Sequence, residues 1–280
     1  MLLLIVVVPV LVLTPWFAWR YRYGNVRAPY RPHWSFSWPL EIAIWGIPFA
    51  LVTVLAVWLW QTAVALDPYT PLASAEQPLH VEVIGYDWKW LFIYPDLKIA
   101  SIGEFAFPAG RPLAIDLTSN TVMQSFFIPA LGSQIYAMAG MTTQLHLQAS
   151  RPGSFQGENT QYNGDGFSRQ QFVARALAPG EFAAWSHLVQ RKGIPLSPTT
   201  YTTISQRSTV AQTRKSLNAG DLPNGVLYFT GVSPLLFHNV VQSFHGGPTD
   251  ATSICGANDL TAKAPAGYRT KHQQTSAAAG

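Results

Sequence analysis

Thiols, imidazoles and carboxylates build most metal sites and active sites, and this chain offers few of them in a useful arrangement. Its only cysteine is Cys255, so an intrachain disulfide and a cysteine-rich zinc or iron–sulfur site are both excluded. The histidines, His33, His80, His146, His187, His238, His245 and His272, are scattered. His238 and His245 are spaced two turns apart on one expected helix, but no nearby carboxylate or thiolate completes a metal site. A mononuclear copper site needs a cysteine beside two histidines, and the GANDL that follows Cys255 contains none. No G-x-S-x-G or H-E-x-x-H pattern occurs, so a nucleophilic triad or a zinc hydrolase is not supported. The carboxylate in the most unusual setting is Glu41, at the head of the apolar run PLEIAIW. Two roles fit that position. One is an interfacial carboxylate favoured by the helix N-terminal dipole, and the other is a proton-carrying group at membrane depth.

The elements around these residues read as a membrane anchor followed by a β-domain. Only 11% of the 280 residues are charged, 48% are hydrophobic and ten are tryptophan, a balance suited to a membrane protein with an extramembrane domain. The net charge of +4 comes without a dense basic run, which argues against a nucleic-acid partner. Met1–Trp19 is almost continuously apolar and, as a helix, spans roughly 28 Å, about a bilayer core. No basic residue precedes it, and bulky WFAWRYRY follows it, so it reads as a retained span rather than a cleaved signal. Arg20, Arg22, Arg27 and Arg31 in the next short loop mark the cytoplasmic side. Ile42–Leu66 is the second apolar stretch. Two spans place both termini and everything after Asp67 outside the cytoplasm.

From His80 onward the period is two. Roughly seven to nine short strands with turn signals between them indicate a β-sandwich or barrel. After Pro179 the spacing becomes helical, with three short helices expected, and from about Gly247 the apolar periodicity ends. The expected organisation is therefore a transmembrane hairpin and linker over 1–78, a β-domain over 79–178, a helical extension over 179–247 and a disordered tail over 248–280.

Two segments carry a family resemblance. YDWKWLFIYP, and SNTVMQSFFIPALGSQIYAMAGM with the region that runs on to Phe172, resemble subunit II of the haem–copper respiratory oxidases. They look most like the quinol branch, the cytochrome bo-type ubiquinol oxidases, and the similarity covers roughly residues 1–247. The resemblance implies a cupredoxin-like sandwich. In the cytochrome c branch that domain holds two copper ions, through a histidine followed by S-[WF] and a later C-x-E-x-C-x-x-x-H-x-x-M. Laid on this chain, the first histidine falls on Gln124. The first cysteine, the glutamate and the second cysteine fall on Asn159, Gln161 and Asn163. The later histidine and the methionine fall on Phe167 and Gln170. Two copper ions bridged by thiolates need soft sulfur and imidazole ligands. Amides substitute poorly, and Phe167 has no donor atom, so the resemblance implies a retained scaffold with no metal.

A quinol oxidase follows from the resemblance. This chain would bind no cofactor, and the haems and one copper would lie in a partner, subunit I. Ubiquinol would be the substrate of the complex, and further small membrane subunits and membrane lipid would complete its surroundings. The place would be a bacterial inner membrane, with the β-domain periplasmic. Catalysis would belong to the proton-translocating complex and not to the isolated chain. Glu41 matches a family glutamate at the mouth of a proton route into subunit I. Trp88 and Trp90 match an aromatic box, which is expected here to pack at the subunit interface. The resemblance also implies a lipid-modified cysteine ahead of the first span. This chain opens inside the apolar run, so either the start lies upstream or this version lacks the anchor. The alternatives are a copper-bearing subunit II of a cytochrome c oxidase and a membrane-anchored interaction module.

Overall fold

The computed structural model describes residues 4–25, 27, 33, 35–74, 76–132, 134–220 and 225–256. The chain divides into two compact units, Met1–Asp67 and Pro68–Gly280.

The first unit carries α1 (Leu4–Arg20) and α2 (Trp38–Ala65). Among the described residues, α2 alone is long and apolar enough to cross a bilayer, and α1 is a shorter apolar helix of 17 residues. Pro9 and Pro15 lie inside α1 and Pro48 inside α2, which lipid-embedded helices tolerate better than soluble ones. Ser37 precedes α2 without a side-chain capping bond, Pro39 occupies its first turn, and Glu41 follows in the same turn. Apolar side chains are exposed on every face of both helices; a helix hydrophobic all round needs a lipid or protein surround.

The second unit is a β-sandwich. Its larger sheet contains β1 (Leu79–Tyr86), β2 (Lys89–Tyr94), β3 (Ile99–Ile102), β5 (Leu113–Ser119), β8 (Thr143–Leu147), β11 (Ile194–Pro195) and β12 (Leu227–Thr230), in the order β11-β12-β3-β2-β1-β5-β8. The smaller contains β4 (Glu104–Pro108), β6 (Gln124–Phe127), β7 (Ile135–Ala137), β9 (Gly153–Asn159) and β10 (Gln171–Leu177), in the order β4-β10-β9-β6-β7. Between the sheets lie Val81, Val83, Trp90, Phe92, Phe105, Phe107, Phe126 and Phe172. Phe92 stacks on Phe105 at 4.9 Å, and Phe126 on Phe172 at 5.1 Å. The outer face of the large sheet is covered too. Ile84, Tyr86, Leu91 and Ile93 form a second core with side chains of α4 (Pro198–Ser205), α6 (Leu236–Ser243) and α7 (Ala251–Cys255). Burial on both faces explains why the clean alternation at Val81 and Val83 gives way to a continuous apolar run.

The helical extension differs from expectation. The segment 179–247 holds α3 (Pro179–Lys192), α4, α5 (Val210–Ser216) and α6, but it also supplies β11 and β12. β12 pairs antiparallel with β3, Leu227 opposite Ile102 and Thr230 opposite Ile99. Trp185 and Val189 of α3 enter the inter-sheet core. The extension is thus part of the sandwich, because β3 would otherwise leave an open edge. Ser197 and Thr209 cap α4 and α5, so the single helix expected over this stretch is two. The tail expected to be disordered from residue 248 begins with α7, whose Ile254 and Cys255 are buried; residues 257–280 lie outside the described residues. Burial pushes the Cys255 thiol up to about 11, which leaves it an inert packing residue. The sandwich unit also begins earlier than residue 79, since His146 N and Nδ1 both meet Pro68 O.

Candidate functional site

The six positions aligned with copper ligands come from β6, the end of β9 and the loop between β9 and β10. Gln124, Asn159, Asn163 and Gln170 are buried, and they converge on one another. Gln170 is the hub. Its Nε2 donates to Gln124 Oε1 and to Tyr86 O, while its Oε1 accepts from Asn159 Nδ2 at 3.0 Å and Asn163 Nδ2 at 2.7 Å. Gln124 Nε2 donates to Tyr86 O at 3.2 Å. Asn159 Oδ1 accepts from Ser125 N and Gln161 N, which ties β9 to β6 and starts the loop. Gln161 takes part through its backbone. Phe167 packs on Tyr162 at 5.7 Å. An amide offers both donor and acceptor, so these four can bond to one another directly, with no metal to link them. The remaining amide atoms bond to nearby backbone and hydroxyl groups, Gln124 Nε2 to Tyr86 O, Ser119 Oγ and Thr121 Oγ1 among them; Asn163 Oδ1 is the buried atom left over. The residues do not fit a dinuclear copper centre: no sulfur is present, and the amide groups are spent on each other.

Room for the network comes from Gly85. A Cβ there would lie 2.7 Å from Gln124 Oε1 and 3.0 Å from the Trp90 ring.

The aromatic box separates into two roles. β1 and β2 form a hairpin in which Tyr86 pairs with Lys89, leaving Asp87 and Trp88 as its turn. Trp88 has φ +69°, which is rare for a bulky residue. Its indole donates to Asn163 O at 3.3 Å, and the Arg207 guanidinium lies 4.8 Å from its ring. Its ring fills the space beside Gly166, where a Cβ would come within 2.1 Å of it. Trp90 is 1% exposed and packs edge-on to Phe126 at 5.4 Å. The expectation of a paired interface is therefore corrected: Trp90 faces this chain's own core, and Trp88 alone retains exposed surface.

Lys89 went unmarked in the sequence, hidden in a strand of aromatics. It is buried, and its ammonium donates to Gln206 O at 2.7 Å, Ser208 O at 2.9 Å and Ser208 Oγ at 3.0 Å. The segment between α4 and α5 is thereby fastened over the hairpin turn, with Arg207 also 3.7 Å from Asp87. Lys89→Met removes the donor and orphans these acceptors. The expected loss is about 2 kcal/mol, read as faster proteolytic cleavage near residue 207; native-like resistance would refute the fastening.

The expected His238–His245 helix pair does not form, because His245 lies beyond the end of α6 and meets Gly140 O. Glu41 lies in the first turn of α2, and its Oε2 accepts from Trp45 Nε1 at 3.0 Å.

The chain is 44% identical over 247 residues to ubiquinol oxidase subunit 2 of Acetobacter aceti, covering 88% of this chain and 76% of the relative. It belongs to the ubiquinol oxidase subunit 2 family. The cytochrome bo(3) ubiquinol oxidase subunit 2 of Pseudomonas aeruginosa is 41% identical over 248 residues, covering 88% and 71% of the two chains. No family model matches. Among solved structures, the periplasmic domain of cytochrome oxidase subunit II from Bradyrhizobium japonicum aligns with a TM-score of 0.40 and 22% identity, over 43% of this chain and 99% of that one. Membership of a subunit 2 family makes this chain part of a terminal ubiquinol oxidase, an oxidoreductase complex, and sets aside the copper-bearing cytochrome c oxidase reading.

Proposed function

We propose that this subunit 2 is a non-redox component of a proton-pumping ubiquinol oxidase, one that supports subunit I and feeds protons to it through Glu41. The observation that carries the reading is the amide network. At the positions where a copper-bearing relative would relay electrons, Gln124, Asn159, Asn163 and Gln170 are committed to one another and to Tyr86 O. Electrons then reach the haems and copper of subunit I directly from ubiquinol in the membrane, without passing through this chain. α1 and α2 both span the inner membrane, with the sandwich on the periplasmic side, and α2 packs on subunit I. Trp88, held by Arg207 and Asn163, is the aromatic offered to subunit I; Trp90 is not.

Purification of the complex through a tag on this chain tests the reading. Co-purified haem, ubiquinol-driven oxygen uptake and no copper beyond that of the oxygen-reducing site are expected. Oxygen uptake driven by cytochrome c, with additional copper bound by this chain, would overturn it. For the proton role, Glu41→Gln removes the exchangeable carboxyl at constant size. Turnover of an assembled complex is expected to fall roughly tenfold or more, with haem content unchanged. Native turnover would return Glu41 to an interfacial role.

A further inference from the structure

Among the described residues, the Glu41 carboxylate does not cap the backbone of the helix that carries it. Its own amide is bonded to Ser37 O at 2.9 Å, and the side-chain bond described for its carboxylate runs to Trp45 and not to the backbone. The carboxylate is therefore no cap. Its partner is the indole one turn further into α2, with Nε1–H directed at Oε2 over 3.0 Å.

The geometry of this pair is directional. Helix side chains lean toward the N-terminus, so the residue at i+4 comes up beneath the end of the side chain at i. Trp45 thus meets the carboxylate from the apolar, inner side of the span. A glutamate in the first turn of a membrane helix otherwise extends outward to water, as long polar side chains at such positions do. An indole opposes that outward swing. Its ring is at home in apolar surroundings while its N–H serves a polar group, and most of the Trp45 ring surface is exposed on the helix. Indole nitrogen donates and does not accept, so the group holding the carboxylate cannot take the proton from it. Among the described residues, the bond engages Oε2 and leaves Oε1 for proton exchange.

We infer that Trp45 is the positioning residue for Glu41: its indole N–H holds the carboxylate inward at the head of α2, where protons pass to the neighbouring subunit. This rests on the proton role of Glu41 proposed above and assigns a residue to the control of that role.

The test uses the assembled oxidase and separates donor from ring. Trp45→Phe keeps an aromatic ring and loses the N–H; Trp45→Gln loses the ring and keeps an N–H donor at the same helical spacing. Trp45→Phe is expected to slow ubiquinol-driven turnover roughly fivefold, as for the loss of one hydrogen bond, and Trp45→Gln to recover most of the rate. In a Glu41→Gln background, Trp45→Phe adds nothing, because two residues acting through one group are not additive. The infrared carboxyl band that vanishes in Glu41→Gln is expected to shift in Trp45→Phe and to return in Trp45→Gln. That band is read on any preparation retaining haem, so a variant with weakened assembly still reports. A native rate and an unshifted band in Trp45→Phe overturn the inference, and so does an additive loss in the Glu41→Gln background. If Glu41→Gln alone leaves turnover native, the proton role itself fails, which distinguishes that failure from a failure of Trp45.

Discussion

Replacing Gln170 by leucine is expected to lower the thermal midpoint of the sandwich unit by roughly 8–16 °C, the equivalent of about 4 kcal/mol. The size follows from which atoms lose their partners. Gln124 Oε1 and Asn163 Nδ2 have Gln170 as their described partner and are left bare in a buried site. Asn159 Nδ2 keeps Gln161 O, and Tyr86 O keeps Gln124 Nε2, so they lose less. A buried polar group without a partner costs about 1–3 kcal/mol, and two such groups set the scale. Thermal unfolding of the purified chain in detergent, followed by tryptophan fluorescence, measures it. Phe167→Leu serves as the control, because Phe167 lies outside the hydrogen-bond network and is expected to change the midpoint far less. Equal shifts for the two variants would show that the loop is held by packing and that the amides contribute nothing special.

The second large effect is expected at Glu104. This buried residue of β4 accepts from Arg175 Nη1 at Oε1, and from Trp185 Nε1 and Tyr228 Oη at Oε2. Four elements, β4, β10, α3 and β12, thus share one carboxylate. Burial pushes the Tyr228 phenol well above the ordinary tyrosine range, and the neighbouring carboxylate adds to the shift, so the hydroxyl remains a donor throughout the physiological range. Glu104→Leu strands two buried donors, with an expected loss of about 3 kcal/mol. Arg175 is 41% exposed in its side chain, and water compensates it in part. Glu104→Gln keeps an acceptor for Tyr228 and Trp185 and is expected to lose about 1 kcal/mol. Denaturant titration that finds glutamine as damaging as leucine would mean the negative charge, rather than the hydrogen bonds, holds the four elements together.

Much of this architecture was legible in the residues, and the misses have definite causes. The strands at Gln171–Leu177 and around Val81 announce themselves through composition and period. Lys89 and Trp90 show where period alone fails. Counting by twos through DWKW puts Trp88 and Trp90 on one face, but a two-residue turn lies between Tyr86 and Lys89. That turn places Trp88 outside the strands, while Trp90 enters the core. The four-residue β12 was hidden in a segment whose other signals are helical, because a strand that short carries too few residues for a period. Of the six aligned ligand positions, the side chains of Gln124, Asn159, Asn163 and Gln170 meet, and the alignment could not show how they bond there. Gln170 meets Tyr86 across 84 positions and Gln124 across 46, and such meetings depend on the completed fold. An aromatic in an apolar helix is ordinary by sequence, and only the fold shows the Trp45 N–H directed at a carboxylate.

The pairing of β12 with β3 also has a consequence for the order of events as the chain is made. The two strands meet with Leu227 opposite Ile102 and Thr230 opposite Ile99. Well over a hundred residues must therefore be added to the chain between the appearance of one strand and the arrival of its neighbour. Throughout that interval β3 has an open edge, and the β2–β3 ribbon presents Leu91, Ile93 and Ile102 without the helices that later cover them. Contacts this distant in sequence form slowly, and exposed strand edges invite association with other chains. A late segment of the chain thus seals an edge left by an early one, so a nascent molecule stalled before Leu227 is a vulnerable one.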